Sequence, residues 1–260
     1  MVFVLDVGNT NIKCGLFNGD DLISSWRLTT NLEKTSDEYG IAIIAFFEHL
    51  KHKTSDVDGI IISSVIPSIN YTLVHMCEIY FGRKPMLVSP GIKTGINIKY
   101  DNAKGLGADR IVNAVAAYEK YGGPVIVVDF GTATTFGAIN EKGDFLGGVI
   151  CPGIKISAEA LTLNAARLPR VELSFPTSVI GKSTVTGMQA GLIYGFIGQV
   201  EYILRRMKKE LGKDAKVVAT GGMSYMMESE ASHFTEIDRL LTLTGLNIIY
   251  NKNIQKSIEA

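Results

Sequence analysis

The chain begins with an apolar run, Val2 to Val7, broken only by Asp6, and its length and composition predict a short buried strand. After the turn Gly8-Asn9-Thr10, a second run from Ile12 to Phe17 predicts another strand, and the reversal at Asn18-Gly19-Asp20 leads into a third, Leu22 to Leu28. The period then changes. Between Ser36 and His52 the apolar positions Tyr39, Ile43, Phe46, Phe47 and Leu50 recur at helical spacing, with Ser36 as the expected cap ahead of Asp37 and Glu38. A strand from Gly59 to Val65, a helix from Pro67 to Tyr80 and a short strand from Met86 to Val88 follow, and the segment from Gly107 to Tyr121 reads as a helix closed by Gly122-Gly123. This order is α/β.

The opening pattern then returns. Pro124 to Phe130 predicts a buried strand, Gly131-Thr132 a turn, Thr134 to Ile139 a strand, and the reversal at Glu141 to Asp144 feeds a strand from Phe145 to Ile150. Asp6-Val7-Gly8-Asn9-Thr10-Asn11 and Asp129-Phe130-Gly131-Thr132-Ala133-Thr134 match in order: an aspartate, an apolar residue, a glycine, then a hydroxyl or amide. An internal repeat of this kind predicts two lobes, residues 1–121 and 122–256, and the absence of a low-complexity linker predicts that they share an interface. A long helix is expected from Ser183 to Leu211. Its glycines at 187, 191, 195 and 198 suggest close backbone packing against a neighbour. A last strand, Lys216 to Thr220, runs into the Gly221-Gly222 turn and a helix, and Leu240 to Tyr250 reads as a closing helix.

Composition narrows the function classes. At 260 residues with 46% hydrophobic side chains, a core large enough for a ligand-binding enzyme is available. The 26 basic and 26 acidic residues cancel, which removes the electrostatic footprint expected of a nucleic-acid binder. The first residues carry no basic leader, and no apolar stretch approaches the roughly 18 residues of a membrane span. A cytoplasmic location is therefore expected, with no membrane partner. Cys14, Cys77 and Cys151 are scattered and form no C-x-x-C pair, which argues for small apolar filler over disulfides or zinc.

Candidate chemistry lies in the repeated turns. A tight glycine-containing turn between strands aims several backbone N–H groups one way, as a phosphate requires, and two such turns can grip one polyphosphate. An aspartate at the head of each turn would repel bare phosphate, so Asp6 and Asp129 read as cation-side ligands; Mg²⁺ commonly takes only one or two carboxylates and keeps waters. A single Asp-x-Gly turn is common. Two at matching points, with Thr220-Gly221-Gly222 after a late strand, point to phosphate binding.

The paired turns and the late T-G-G resemble the actin, sugar-kinase and heat-shock ATPase superfamily. Within it, Asp6 to Lys13, Gly107-Ala108-Asp109-Arg110, Asp129 to Thr135, Gly147-Gly148 through Pro152-Gly153, and Ile180 to Thr184 are similar to the signatures of the type III pantothenate kinases, in an order covering nearly the whole chain. The resemblance implies two duplicated actin-like, ribonuclease H-like lobes, each a mixed sheet flanked by helices, with a nucleotide cleft between them. It further implies ATP-dependent phosphorylation of pantothenate, the first step toward coenzyme A, by a homodimer. ATP would be bound by Asp6, Val7, Gly8, Asn9, Thr10, Asn11, Ile12 and Lys13, by Thr132, and by Gly221 and Gly222. Asp129 would hold a monovalent cation, K⁺ or NH₄⁺, and Asp6 would face Mg²⁺ through water. Tyr100, Gly107, Ala108, Asp109, Arg110 and Thr184 would line the pantothenate pocket, with Asp109 as proton acceptor. From the residues alone, Asp109 reads first as a helix cap beside Arg110.

Other strings are set aside. Gly181-Lys182-Ser183 mimics the end of a Walker loop, but Pro176 stands where its first glycine should be. Gly105-Leu106-Gly107-Ala108-Asp109-Arg110 begins like a dinucleotide fingerprint, yet Arg110 replaces the third glycine. His49, His52, His75 and His233 lack metal-ligand spacing, and Arg205 to Lys209 is a solvated helix end. The competing reading is a nucleotide-binding regulatory or chaperone-like protein of the same fold without small-molecule kinase activity. Such a protein would have no need of the Gly107 to Arg110 turn.

Overall fold

Every residue of β1, Val2–Val7, is buried, and alternate residues face different helices. The computed structural model that shows this describes residues 1–102 and 105–259, with the side chains of 228–232 and 255–259 outside the description. Phe3, Leu5 and Val7 share a cluster with Tyr39, Ile43 and Phe47 of α1 (Ser36–His49) and with Ile69, Leu73, Met76 and Phe81 of α2 (Pro67–Phe81). Val2 and Val4, of the other parity, pack with Val112 and Val115 of α3 (Ala108–Tyr121) and with Leu243, Leu246 and Ile249 of α6 (Leu241–Glu259). A strand covered on both faces needs a nearly continuous apolar run, which is why Asp6 stands out in the sequence.

Two compact units emerge, residues 1–120 with 240–260, and residues 121–239. In the first, β2 (Asn11–Asn18) and β3 (Asp21–Thr29) complete an antiparallel meander with β1, and β4 (Gly59–Ser64) and β5 (Met86–Leu87) add in parallel, giving the order β3-β2-β1-β4-β5. A further two-residue strand, β6, covers Asn97–Ile98. In the second unit, β7 (Val125–Phe130), β8 (Ala133–Ile139) and β9 (Asp144–Pro152) form the same antiparallel meander, with β10 (Lys216–Thr220) and β11 (Glu236–Ile237) parallel to β7. The order β9-β8-β7-β10-β11 reproduces that of the first unit strand for strand. The duplication expected from the repeated turns is therefore a duplication of the whole sheet topology.

Helices cover the second sheet through Ile193, Phe196, Ile197, Val200 and Leu204 of α5 (Thr184–Leu211), which pack on Ile126, Val128 and Phe130 of β7. The glycines of α5 behave differently from expectation. Gly187, Gly191, Gly195 and Gly198 are exposed, and a methyl group added at any of them would meet nothing within 4 Å, so no neighbour among the described residues requires them.

Other differences have local causes. The cap of α1 is Thr35, not Ser36: its hydroxyl accepts from the Glu38 N–H while the Glu38 carboxylate accepts from the Thr35 N–H at 2.8 Å, a reciprocal pair that moves the start back one residue. Helix α4 (Ile154–Asn164) went unpredicted because it buries only Ile154 and leaves Ile156, Leu161 and Leu163 exposed, so it lacks an apolar stripe. The Gly221-Gly222 turn leads into a 3-10 helix over Ser224–His233.

The closing helix α6 is longer than expected and belongs with the first unit, whereas the repeat had assigned it to the second lobe. It packs on β1, β2 and β4, and the Asn247 amide donates to the Gly19 carbonyl at 2.9 Å. Its approach to α3 is close. A methyl at Gly245 would lie 2.3 Å from the Val112 carbonyl oxygen, and Lys252 pairs with Glu119 at 2.8 Å.

Candidate active site

At the end of β1 the chain turns back on itself. The Gly8 N–H donates to the Asn11 carbonyl at 3.1 Å, the Thr30 hydroxyl donates to the Gly8 carbonyl at 2.7 Å, and the Thr30 N–H donates to the Thr10 carbonyl at 3.1 Å. These bonds fix the turn from beneath and leave Asn9, Thr10 and Asn11 exposed, as a phosphate-binding loop requires. Asp6 shares the strand parity of Val2 and Val4, so its side chain belongs to the sheet face that α3 covers. It is only 7% exposed, and its Oδ2 lies 3.3 Å from Nζ of Lys13, its direct partner across the β1–β2 ladder. The lysine thus holds the carboxylate in place and brings a cation to the loop.

Asp109 is the second residue of α3. Its Oδ1 accepts from the Arg110 N–H at 2.8 Å, and the Gly107 carbonyl accepts from the Arg110 and Ile111 N–H groups at 3.1 and 3.3 Å. The carboxylate folds back over Gly107, where a Cβ would lie 2.5 Å from Oδ1 and 4.0 Å from Cγ1 of Val65. Val65 in turn donates its N–H to the Val7 carbonyl at 3.1 Å, so the Asp109 turn and the first loop are neighbours within one unit. The positive end of α3 favours the ionised carboxylate. Beside it the Arg110 guanidinium lies over the Tyr100 ring, 5.8 Å from its centroid, so two sequence-predicted residues meet here.

A cavity of about 320 Å³ adjoins this turn, lined by Val88, Ile92, Ile96, Ile98, Leu106 and Ile111, with Ala108 in its wall and the hydroxyl-bearing Ser89 and Thr94 as polar contributors. Sequence reasoning missed the 88–98 segment. Its apolar residues follow neither a helical nor a strand period, and Pro90-Gly91 and Gly95 read as loop punctuation.

In the second unit the corresponding turn is built from different contacts. The Gly131 N–H donates to the Ala133 carbonyl at 3.1 Å and the Gly153 N–H to the Thr132 carbonyl at 3.2 Å, while Thr132 itself is exposed. A Cβ on Gly153 would stand 2.3 Å from the Thr132 oxygen, so only glycine lets that strand end close beneath the loop. Gly221, at φ +96°, lies directly against the head of the turn: a Cβ there would be 2.4 Å from Oδ1 of Asp129 and 2.6 Å from the Phe130 nitrogen. The Met223 N–H donates to the Phe130 carbonyl at 3.1 Å, locking the two turns together. Asp129 and Gly221, far apart in the chain, are thereby brought together. Thr184 is exposed at the first position of α5, after the Ser183 cap.

A family model for type III pantothenate kinase matches residues 2–206. A type III pantothenate kinase of Geobacillus sp. (strain WCH70) is 55% identical over 256 residues, covering 98% of this chain and 99% of that one. The chain belongs to the type III pantothenate kinase family. Among solved structures, a protein described as a conserved Baf family transcriptional activator from Campylobacter jejuni matches with a TM-score of 0.63 at 20% identity, over 97% of this chain and 99% of that one. A ROK hexokinase from Thermus thermophilus matches with a TM-score of 0.51 at 14% identity, over 97% and 99% of the two chains. At such identities these two likenesses concern the fold alone.

For this pantothenate kinase family member, the residues beside the two loop aspartates bear on cation binding. Ser63 is the parallel partner of Asp6, and Thr220 is the parallel partner of Asp129, so the two hydroxyls occupy matching positions in the duplicated sheets. Both residues are fully buried, and neither hydroxyl has a hydrogen-bond partner among the described residues. A buried unsatisfied hydroxyl costs roughly 1–3 kcal/mol, and a hydroxyl oxygen next to a carboxylate suits a hard cation or its water. The residues present therefore fit a cation at each aspartate. Among the described residues no three His, Cys, Asp or Glu side chains gather as a metal cage, so any such ion would lean on one carboxylate, neighbouring oxygens and the phosphates.

The cysteines lie outside this chemistry. Burial pushes the thiols of Cys14 and Cys77 upward, that of Cys77 to about 12, which keeps both protonated and inert at neutral pH. Among the described residues no helix is long and apolar enough to cross a membrane.

Proposed function

We propose that this protein transfers the γ-phosphoryl group of ATP to the primary hydroxyl of pantothenate, giving 4'-phosphopantothenate, the first step of coenzyme A biosynthesis. The observation that carries the reading is Asp109: an oriented carboxylate at a helix N-terminus, over a glycine, beside an apolar cavity and next to the first glycine turn. Family membership supplies the acceptor.

In this reading the backbone N–H groups of Asn9 to Ile12 and the Lys13 ammonium bind phosphate oxygens of ATP, with Asp6, Val7 and Gly8 setting the turn. Thr132 does the same from the second loop, and Gly221 and Gly222 take the adenosine side. Tyr100, Gly107, Ala108, Arg110 and Thr184 hold pantothenate. Asp109 accepts a hydrogen bond from the attacking hydroxyl, orients it toward the phosphorus and takes its proton as the new P–O bond forms and the bond from the γ-phosphorus to the bridging oxygen breaks, releasing ADP. Phosphoryl transfer needs little more from the protein than alignment and charge neutralisation. When bound, Mg²⁺ near Asp6 and a monovalent cation, K⁺ or NH₄⁺, at Asp129 supply that neutralisation at the phosphates. Ser63 and Thr220 would complete the oxygen environment of those two carboxylates.

ADP release in a coupled assay tests this. It should depend on pantothenate and fall when K⁺ is exchanged for Na⁺; turnover that ignores pantothenate would favour the regulatory or chaperone-like reading instead.

The same reading makes the enzyme a cytoplasmic homodimer that uses no nucleic acid or membrane. The glycine face of α5 supports the dimer, since Gly187, Gly191, Gly195 and Gly198 leave open space that a second helix can approach closely. Light scattering should give twice the mass of the 28.2 kDa chain, and a monodisperse monomer removes the idea.

A further inference from the structure

The segment that lines the apolar cavity has no regular structure from Ser89 to Ile96, yet two consecutive residues of α6 grip it. The Lys93 N–H donates to Oδ1 of Asn253 at 3.1 Å, and Nδ2 of Asn253 donates back to the Lys93 carbonyl at 2.9 Å. The same Nδ2 donates to the Ile249 carbonyl, one turn earlier in α6, at 2.7 Å. Both donors and the acceptor of the amide are therefore used, and the bond to Ile249 fixes the rotamer that presents the other two to Lys93. Two residues further on is Gly95, at φ +80°, where a Cβ would lie 2.9 to 3.2 Å from the outer atoms of the Lys252 side chain. Lys252 is held in turn by Glu119 of α3, at 2.8 Å.

Lys93 sits between Ile92 and Thr94, and both of these line the cavity whose lining also includes Ala108, the neighbour of Asp109. An unsupported loop cannot keep two side chains in a cavity wall without ordering cost at each binding event. We propose that Asn253 is a positioning residue for the acceptor: its amide clamps the backbone at Lys93 and so fixes the cavity wall against which the substrate is held beside Asp109. This rests on the reading that the cavity and the Gly107 to Arg110 turn belong to the acceptor site. It assigns Asn253 no contact with substrate. The clamp needs a neutral amide, because a carboxylate of the same shape would face the carbonyl oxygens of Lys93 and Ile249 with no proton to donate.

That chemical demand supplies the test. Asn253→Asp and Asn253→Ala are compared with the parent enzyme for the KM of pantothenate, the KM of ATP, thermal stability and hydrogen exchange of the Lys93 amide. Loss of the clamp should raise the pantothenate KM by about tenfold in N253D, at least as much as in N253A, while the ATP KM and kcat change by less than about twofold. The Lys93 amide should exchange faster in both variants. If Asn253 only fills space, N253D will match the parent and N253A will be the worse variant, which overturns the proposal. An equal rise in both KM values, tracking a loss of stability, overturns it too. Should the parent enzyme itself show no pantothenate-dependent turnover, the acceptor-site reading fails instead; Lys93 exchange in N253D would then still report whether the clamp exists.

Discussion

Replacing Asp109 by Asn should lower kcat for pantothenate phosphorylation by a factor on the order of 10²–10⁴ while leaving nucleotide affinity nearly unchanged. The substitution is isosteric, and the amide oxygen can still accept the Arg110 N–H bond that Oδ1 makes at 2.8 Å. The carboxamide also fits the space above Gly107, so the start of α3 should keep its geometry. What disappears is the negative charge and the ability to take a proton from the attacking hydroxyl. Steady-state kinetics together with calorimetric binding of an ATP analogue separate the two effects. A normal kcat would mean that the proton leaves by another route, and a parallel loss of nucleotide binding would mean that Asp109 supports the fold near the first loop rather than the chemistry.

Gly221→Ala should strongly damage the second unit, because it combines a left-handed backbone with close contacts. At φ +96° an alanine is strained by roughly 1–2 kcal/mol before any contact is considered. Its Cβ would also lie 2.4 Å from Oδ1 of Asp129 and 2.6 Å from the Phe130 backbone. The backbone has little freedom to retreat, because Phe130 is paired in the sheet and its carbonyl accepts the Met223 N–H at 3.1 Å. A combined cost of about 2–4 kcal/mol, from strain and overpacking, corresponds to a loss of one and a half to three orders of magnitude in nucleotide affinity if it is spent on displacing Asp129 and the loop. If it is spent on stability instead, the melting temperature falls by several degrees. Gly222→Ala is the matched control: its backbone is not left-handed, and a methyl there meets nothing within 4 Å, so its melting temperature should equal that of the parent. Equal behaviour of the two variants would show that the Gly221–Asp129 contact carries no weight.

Much of this architecture could be read along the chain. The meanders were legible because strands of alternating or continuous apolar residues, and the glycine turns between them, depend on neighbours only a few positions away. The repeat of Asp6-Val7-Gly8 in Asp129-Phe130-Gly131 was legible for the same reason, and it foretold a duplication that the sheet orders β3-β2-β1-β4-β5 and β9-β8-β7-β10-β11 display in full. The Thr35 cap lay one residue from its expected place because several polar residues there compete for one role, and only the reciprocal bonds to Glu38 choose among them.

Tertiary structure decided the rest. That α6 returns to the first unit, that Asp6 points to the same sheet face as α3, that Gly221 presses on Asp129, and that Asn253 reaches back to Lys93 are all contacts between segments distant in sequence. Local pattern specifies which residues must be buried and where the chain must turn, because those choices follow from dihedral preference and solvent exposure residue by residue. Which buried face meets which other face is set by shape and volume when the elements pack together. No single residue carries that information, and it exists only once the sheets and helices are assembled.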